Sequence, residues 1–383
     1  MTVDFTRDHS PSDWLPRLAG IDVVVNAVGI LRETADASFE ALHVAAPRAL
    51  FAACDQARIG KVIQVSALGA DDAAASRYHR SKKSADDFLA SLSVPWVIVQ
   101  PSLVYGDDGA SARLFTTLAA LPVVPLPGGG GQRVQPIHVD DLAEAVVRLA
   151  ANGSHDRERV AAVGARPLTL RELLAALRHS MGLGKPRFLS IPTPLVRAAA
   201  AAGDHLPGVL LDRESLAMLE RGNVASAATI TDVLRKPPRA VESFIVTARA
   251  VDAANAARLA WLLPVLRVSV ALVWLVTGLL SLGVYPVADS YALLARLGLT
   301  GVVSAIALYG AAIIDLAFGV GSLVLKRRLW LWRAQAALII GYSVIIAIWL
   351  PEFWAHPFAP MLKNVPMLAA ILVLHEFEKK SDG

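Results

Sequence analysis

Tyr78 and Lys82 are the residues of this sequence whose types and spacing most directly suggest chemistry. A helix over Tyr78–Ser91 places them one turn apart on the same face, within reach of each other. A free phenol titrates at about pH 10, and a neighbouring ammonium group lowers its pKa, so the phenol can act as a general acid or base near neutrality. The alternative is that the pair belongs only to a solvated helix face.

The segments around this pair predict strands that bring further groups to it. Ser66 lies near the end of a predicted strand over Lys61–Ala67, upstream of Tyr78. Continuous apolar runs with turn residues at their ends predict two more buried strands, Ile21–Val28 and Trp96–Gln100. Strands of this kind end at a cofactor cleft in a dinucleotide-binding enzyme. The sequence therefore predicts an α/β domain with its polar groups at one edge of the sheet.

Six fragments in a fixed order make this interpretation more specific. They are NAVGILRE from Asn26, FEALHVAAPRALFAAC from Phe39, VSALGA from Val65, YHRSK from Tyr78, QPSLVYG from Gln100 and IHVDDLAEA from Ile137. From about residue 1 to residue 245 the chain resembles an atypical extended short-chain dehydrogenase/reductase. It is similar to the group that includes the dehydrogenase-like accessory subunit of respiratory complex I.

The resemblance implies a cofactor, NAD or NADP, and roles for individual residues. Tyr78 would donate or accept the proton, and Lys82 would hold the ribose and lower the pKa of Tyr78. Family members usually carry two hydroxyl residues where this chain has Ser66-Ala67, so Ser66 is either the active-site hydroxyl or a turn residue at a strand end. The implied cofactor-binding residues are Asp4, Asn26, Ala27, Val28, Gly29, Lys82, Pro101 and Ser102.

The phosphate-binding turn of such a domain is missing from this sequence. A Rossmann unit opens with a strand, a glycine-rich turn and a helix whose N-terminus receives the pyrophosphate. Nothing before Asn26 has this pattern, and residues 1–5 resemble the third strand of the family. We therefore expect a Rossmann-like sheet without its first strands and glycine-rich loop, in a chain truncated at its N-terminus relative to its family. The alternative is a natural remnant that binds no cofactor.

Composition separates this α/β region from a more apolar one. Of 383 residues 55% are hydrophobic, and the excess lies in long uncharged runs between residues 259 and 377. The net charge of +4 is modest and gives no indication of nucleic-acid binding. The single cysteine, Cys54, excludes an intramolecular disulfide, and the nine histidines show no spacing typical of a metal site.

Four hydrophobic segments predict an all-α transmembrane domain: 261–283, 298–323, 331–350 and 359–377. The fragment FWAHPFAPMLKNVPML resembles a DoxX-like membrane domain. The predicted organisation is a Rossmann-like domain over 1–245, a basic linker over 246–260 and a four-helix domain over 261–377. The turn KRRLWLWR carries four basic residues and no acid, which predicts that it, the basic linker and the C-terminus are cytoplasmic. We expect a bacterial inner-membrane protein with its soluble domain on the cytoplasmic side.

Asp315 stands out within the second hydrophobic segment. It lies roughly 15 Å below the basic turn by the helical rise, and a carboxyl at such a depth is a candidate functional group. Arg267 in the first segment is displaced from it by only about 6 Å along the membrane normal, so we expect an ion pair between the two. The alternative is that Asp315 is protonated against neighbouring backbone.

Together these features favour a membrane-anchored NAD(P)-dependent oxidoreductase of the short-chain dehydrogenase/reductase type that acts on a hydrophobic substrate. The expected partners are the lipid bilayer and the nucleotide, with no metal and no nucleic acid. The alternative is a non-catalytic nucleotide-binding module with a structural or assembly role at the membrane. Ala67 favours the second function, and the intact pair of Tyr78 and Lys82 favours the first.

Overall fold

The computed structural model describes residues 3–153, 155–204, 211–357 and 359–379. The chain divides into two compact units, Met1–Arg258 and Leu259–Gly383.

A four-stranded parallel sheet forms the centre of the first unit, in the order β1 (Val23–Asn26), β2 (Lys61–Val65), β3 (Trp96–Pro101) and β8 (Glu158–Ala162). Short additional strands pair with one another beside it. These additional strands are β4 Val104–Tyr105, β5 Val124–Pro127, β6 Arg133–Val134, β7 Ile137–His138, β9 Leu168–Thr169 and β10 Phe188–Ile191.

Helices cover both faces of this sheet, as expected for buried parallel strands. They are α1 Pro11–Trp14, α2 Ala46–Gln56, α3 Arg77–Ala90, α4 Ala110–Ala120, α5 Val139–Ala151, α6 Leu170–Ser180, α7 Thr193–Gly203, α8 Arg213–Arg221 and α9 Ala228–Leu234. Val62 and Ile98 belong to one core cluster together with residues of α2 and α3. The adjacent residues Ile63 and Val97 point to the opposite face and belong to a cluster with residues of α5 and α9. The predicted Rossmann-like parallel sheet is confirmed.

Within the fragment FEALHVAAPRALFAAC the chain first forms a π-helix, Glu40–Ala45, and then the regular helix α2. Pro47, the second residue of α2, lies just beyond this wide turn and has no amide hydrogen to donate back into it. Because the turn is wider than that of an α-helix, the side chains of the π-helix, including His43, leave the helix axis at different angles from those of a regular helix.

The predicted strand at the beginning of the chain is wrong for the residues described there. Residues 3–7 include a turn in which the amides of Arg7 and Asp8 donate to the Asp4 carbonyl. The Asp4 carboxylate accepts hydrogen bonds from the amide and the hydroxyl of Thr6. Such a local side-chain bond stabilises a turn in competition with an extended strand.

The second unit is helical. Its helices are α10 Ala250–Leu279, whose first residues belong to the first unit, α11 Val287–Arg296, α12 Gly301–Val324, α13 Leu329–Trp349, α14 Glu352–Ala355 and α15 Asn364–Lys379. Among the described residues, three helical segments are long and apolar enough to cross a membrane, Thr247–Val284, Gly301–Val324 and Leu329–Trp349. The fourth predicted span begins with a turn, and its helix α15 has 16 residues, about 24 Å of rise against a bilayer core of about 30 Å.

Candidate active site at the strand ends

The first turn of the site follows β1 and is held by a buried amide. Asn26 ends the strand and lies opposite Gln64 of β2 in register. Its Nδ2 donates to Gln64 Oε1 at 2.7 Å, and its Oδ1 accepts from the Val28 amide at 3.2 Å. Asn26 is buried, whereas Ala27 and Gly29 are exposed. The strand end is therefore rigid and its turn is open to a ligand.

Lys82 of α3 connects this turn to the end of β2. Its Nζ donates to the carbonyl of Val28 at 3.1 Å and to the carbonyl of Val65 at 3.2 Å. The side chain is almost completely buried, and burial lowers the pKa of Lys82 to about 8, against an opposite effect of the Asp86 charge. A basic group thus lies between the two turns and changes its charge close to neutrality.

Gly29 leaves room for this ammonium group. A Cβ atom at this position would lie 2.9 Å from Lys82 Nζ and 3.3 Å from His43 Nε2. Any other residue would therefore displace Lys82 or narrow the opening between the turns.

Ser66 follows β2 and is fixed by an acid of α3. Its hydroxyl donates to Asp86 Oδ2, and both residues are buried. Burial raises the pKa of Asp86 to about 6, while the bond from Ser66 and the charges of Arg159 and Lys82 oppose this effect. Asp86 Oδ1 is buried and accepts no hydrogen bond from the residues that the structure describes. Asp86 lies one helical turn from Lys82, so α3 delivers both groups to the same edge of the sheet.

Tyr78 lies at the start of α3, which is capped by Ser76. Part of its side chain reaches solvent, yet burial of the phenol raises the pKa of Tyr78 to about 12, and the negative charge of Asp86 adds to this. The expectation that Lys82 lowers this pKa is therefore wrong in this structure, because desolvation of the phenol dominates. At neutral pH Tyr78 is a protonated phenol.

His43 completes the site and was missed by sequence reasoning. Its Nε2 accepts from the Ile30 amide at 2.9 Å, so the ring proton is on Nδ1, which contacts Ser81 Oγ at 2.9 Å. The Ser81 hydroxyl in turn donates to the Tyr78 carbonyl. Burial, reinforced by the charge of Lys82, lowers the pKa of His43 to about 3, so the ring is neutral. Its only sequence signal is a polar ring within an otherwise apolar helical segment.

The structure brings most of the expected site residues together but uses two of them differently. The Ser102 hydroxyl donates to the Gln135 carbonyl, next to Pro101 at the end of β3, and both Pro101 and Ser102 are buried. Asp4 bonds within its own turn. The described contacts form three neighbouring groups instead. Hydrogen bonds join Asn26 to Gln64 and to Val28, whose carbonyl accepts from Lys82. A separate bond joins Ser66 to Asp86, and a ring contact joins Tyr78 to His43.

These residues fit a nicotinamide nucleotide at the strand ends. Gly29 provides an opening that a Cβ would fill, and the buried ammonium of Lys82 is a donor suited to ribose hydroxyls. The phenol of Tyr78 carries a proton that can be transferred, and the unpartnered Asp86 Oδ1 is a further acceptor. The arrangement can hold a cofactor and move a proton next to it.

Two family models match separate parts of the chain. The model for NAD(P)H-binding proteins matches residues 4–153, and the model for the DoxX-like family matches residues 271–372. The predicted combination of these two domains is confirmed, and so is the nicotinamide nucleotide as cofactor.

Curated relatives are similar to the first of these regions. NADH dehydrogenase [ubiquinone] 1 alpha subcomplex subunit 9 of Arabidopsis thaliana is 28% identical over 49% of this chain and 48% of that protein. Ceramide reductase of Caulobacter vibrioides is 29% identical over 52% of this chain and 62% of that protein. The chain thus spans about half the length of the first of these relatives and less than two thirds of the second.

A solved structure extends the comparison to the fold. A nucleoside-diphosphate-sugar epimerase from Staphylococcus aureus superposes with a TM-score of 0.52 at 17% identity, covering 63% of this chain and 81% of that structure. At this identity the likeness concerns the fold alone. The chain therefore joins a region that matches the NAD(P)H-binding model and contains a Rossmann-like parallel sheet to a helical region that matches the DoxX-like model.

Proposed function

We propose that the protein is a membrane-anchored NAD(P)-dependent oxidoreductase of the short-chain dehydrogenase/reductase type that reduces a carbonyl group of a hydrophobic substrate. The observation that carries the proposal is the position of Lys82, which donates to the carbonyls of two strand-end turns and is one helical turn from Tyr78. When bound, the reduced nicotinamide supplies a hydride.

In this mechanism side chains of the protein bind the nucleotide, orient the substrate and protonate its carbonyl oxygen. Lys82 binds the ribose hydroxyls, and the Ser66 hydroxyl, held by Asp86, orients the substrate carbonyl. Tyr78 donates its phenolic proton to the carbonyl oxygen. A phenol whose pKa is raised to about 12 is fully protonated at neutral pH, which suits proton donation in the direction of reduction.

A hydrophobic substrate is favoured by two observations. One is the DoxX-like domain with its three apolar helical segments, which would keep the enzyme where lipid-like molecules are concentrated. The other is the similarity to the ceramide reductase of Caulobacter vibrioides, whose name gives a lipid as its substrate.

We further propose that the soluble domain and the C-terminus lie on the cytoplasmic side of a bacterial inner membrane. The basic turn between α12 and α13 supports this orientation by the positive-inside rule. Glu378, near the end of α15, accepts from Arg328 of this turn at 3.1 Å and from Arg267 of α10 at 2.8 Å. These bonds favour a bundle in which α15 returns to the basic side.

The second candidate function is a non-catalytic nucleotide-binding module with a structural or assembly role. Ala67 favours it, since this buried methyl group stands where the family usually has a hydroxyl. So does the similarity to the mitochondrial subunit of Arabidopsis thaliana, which is named as part of a larger complex.

One experiment distinguishes the two functions. Full-length protein in detergent is titrated with NADH and NADPH, and turnover is then measured with a long-chain keto lipid, a polyprenyl aldehyde and a quinone. Turnover that Tyr78→Phe abolishes without loss of nucleotide binding supports the oxidoreductase. Nucleotide binding without turnover of any of these substrates supports the structural module, and an absence of both would overturn the two proposals together.

A further inference from the structure

Asp315 is a buried carboxyl in the middle of the apolar helix α12. It is 4% exposed and lies about 21 Å of helical rise from the first residue of α12 and about 14 Å from the last. Its neighbours on the buried face of the helix are small or polar: Ser304, Ala312, Gly319 and Ser322. A carboxylate at this depth is costly unless it is neutralised, paired or hydrated.

The interface between α10 and α12 next to this carboxyl is too tight for a layer of water. A Cβ atom at Gly319 would lie 2.6 Å from Leu275 Cγ, and one at Gly278 would lie 2.8 Å from Leu316 Cγ. The helices α10 and α12 therefore approach each other closely on either side of Asp315. Hydration by bulk water from the α10 side is excluded.

The polar side chains around Ser322, two helical turns from Asp315, have hydrogen-bond partners, in contrast to Asp315. Trp274 donates to Gln335 at 2.9 Å, and Gln335 donates to the Ser322 hydroxyl at 2.8 Å. Among the residues that the structure describes, Asp315 forms no ion pair, and its Oδ1 is buried without a hydrogen-bond partner. The expected pair with Arg267 is wrong, because Arg267 binds Glu378 at 2.8 Å.

The ionisable groups on the neighbouring helices do not neutralise Asp315 either. Tyr342 of α13 is within electrostatic range of it and carries no positive charge. Other ionisable groups of the described helices interact elsewhere: Arg267 and Arg328 with Glu378, Arg333 and Glu376 with His375, Tyr291 with Tyr309, and Arg296 with Glu352. Asp289 and Lys379 are exposed near helix ends. Without an ion pair among the described residues, and with α10 packed too closely to admit water on its side, the carboxyl is neutralised at the lowest cost by protonation.

We propose that Asp315 is a proton-binding site of the DoxX-like domain, a carboxyl that takes up and releases a proton within the bilayer. This site is independent of the oxidoreductase chemistry proposed for the first unit. It gives the membrane domain a role in addition to anchoring.

The test uses full-length protein in liposomes and dicyclohexylcarbodiimide, an apolar reagent that reacts with protonated carboxyls. We expect an adduct at Asp315, found by peptide mass spectrometry, whose yield falls by about tenfold per pH unit once the pH exceeds the midpoint. Asp315→Asn removes the adduct and Asp315→Glu retains it. Exposed Asp289 of α11 is the control, since a water-soluble carbodiimide with an amine should modify Asp289 and not Asp315.

Three results would overturn the proposal. The first is the absence of an adduct at Asp315 in the unsubstituted protein at every pH. The second is a yield that does not change with pH. The third is protection by sodium ions at constant pH, which would identify a metal-cation site instead. Because the unsubstituted protein provides the main measurement, a folding defect of a variant does not affect the conclusion.

Discussion

Raising the pH from about 7 to about 9 should weaken nicotinamide nucleotide binding by about tenfold, because Lys82 loses its charge in this range. The structure sets this magnitude. Burial lowers the pKa of Lys82 from 10.5 to about 8. With that pKa about nine tenths of the side chains are charged at pH 7 and about one tenth at pH 9. A lysine with an ordinary pKa would remain almost fully charged over the same range.

The direction of the change follows from the ligand that Lys82 is proposed to hold. The charged form donates to ribose hydroxyls, so binding favours the protonated state and raises the pKa of Lys82 in the complex. Affinity is therefore complete below about pH 8 and is lost as the pH rises above it. Asp86, with a pKa raised to about 6, has completed its titration before this range and contributes little.

The assay is calorimetric titration of the full-length protein in detergent with NADH at a series of pH values. Lys82→Met should bind weakly at every pH and show no slope. Lys83→Met is the matched control, because the neighbouring Lys83 is paired with Asp72 and Asp87 at the surface and should behave like the unsubstituted protein. Equal affinity at pH 7 and pH 9, or a slope that persists in Lys82→Met, would refute the role of this ammonium group.

Three further predictions concern single side chains. Tyr78→Phe should lower kcat by about 100-fold to 10,000-fold and leave the NADH Kd unchanged, as turnover and titration together will show. Gly29→Ala should raise the NADH Kd, because its Cβ would lie 2.9 Å from the buried ammonium, while Gly131→Ala, with nothing within 4 Å, should not. Glu378→Gln should destabilise the helical unit by about 1 to 3 kcal/mol, because it weakens the two charge-assisted bonds from Arg267 and Arg328. The control is Glu376→Gln, which changes an exposed residue and should leave the stability unchanged. Thermal unfolding in detergent compares the two variants. Equal melting temperatures for these last two variants would contradict the role of Glu378.

The strands and the helix of the site could be predicted from sequence because their signals are local. The apolar runs that became β1, β2 and β3 and the spacing of Tyr78 and Lys82 depend only on neighbouring residues. The pKa of Tyr78 could not be predicted, since it depends on burial by residues distant in the sequence. His43 was missed for the same reason, because its partners Ile30 and Ser81 lie in other segments.

The expected ion pair in the helical unit failed for a geometric reason. Helical rise gives the depth of Arg267 and Asp315 but not the direction in which each side chain points around its helix. Arg267 points toward the end of α15, whose position depends on the packing of the whole bundle, and binds Glu378 there. Depth along a helix is thus a necessary condition for a pair, but not a sufficient one.

The triple contact of Glu378 affects how the membrane orientation can be measured. Its carboxylate accepts bonds from Arg267, Arg328 and Trp332, which come from three different parts of the helical unit. Reporter enzymes fused to a series of progressively shortened chains would remove Glu378 from every member of the series. Arg267, and Arg328 in the members that retain it, would then lack their acceptor. A reporter joined after residue 379, or cysteines introduced singly into the intact chain, would record the orientation while keeping these bonds.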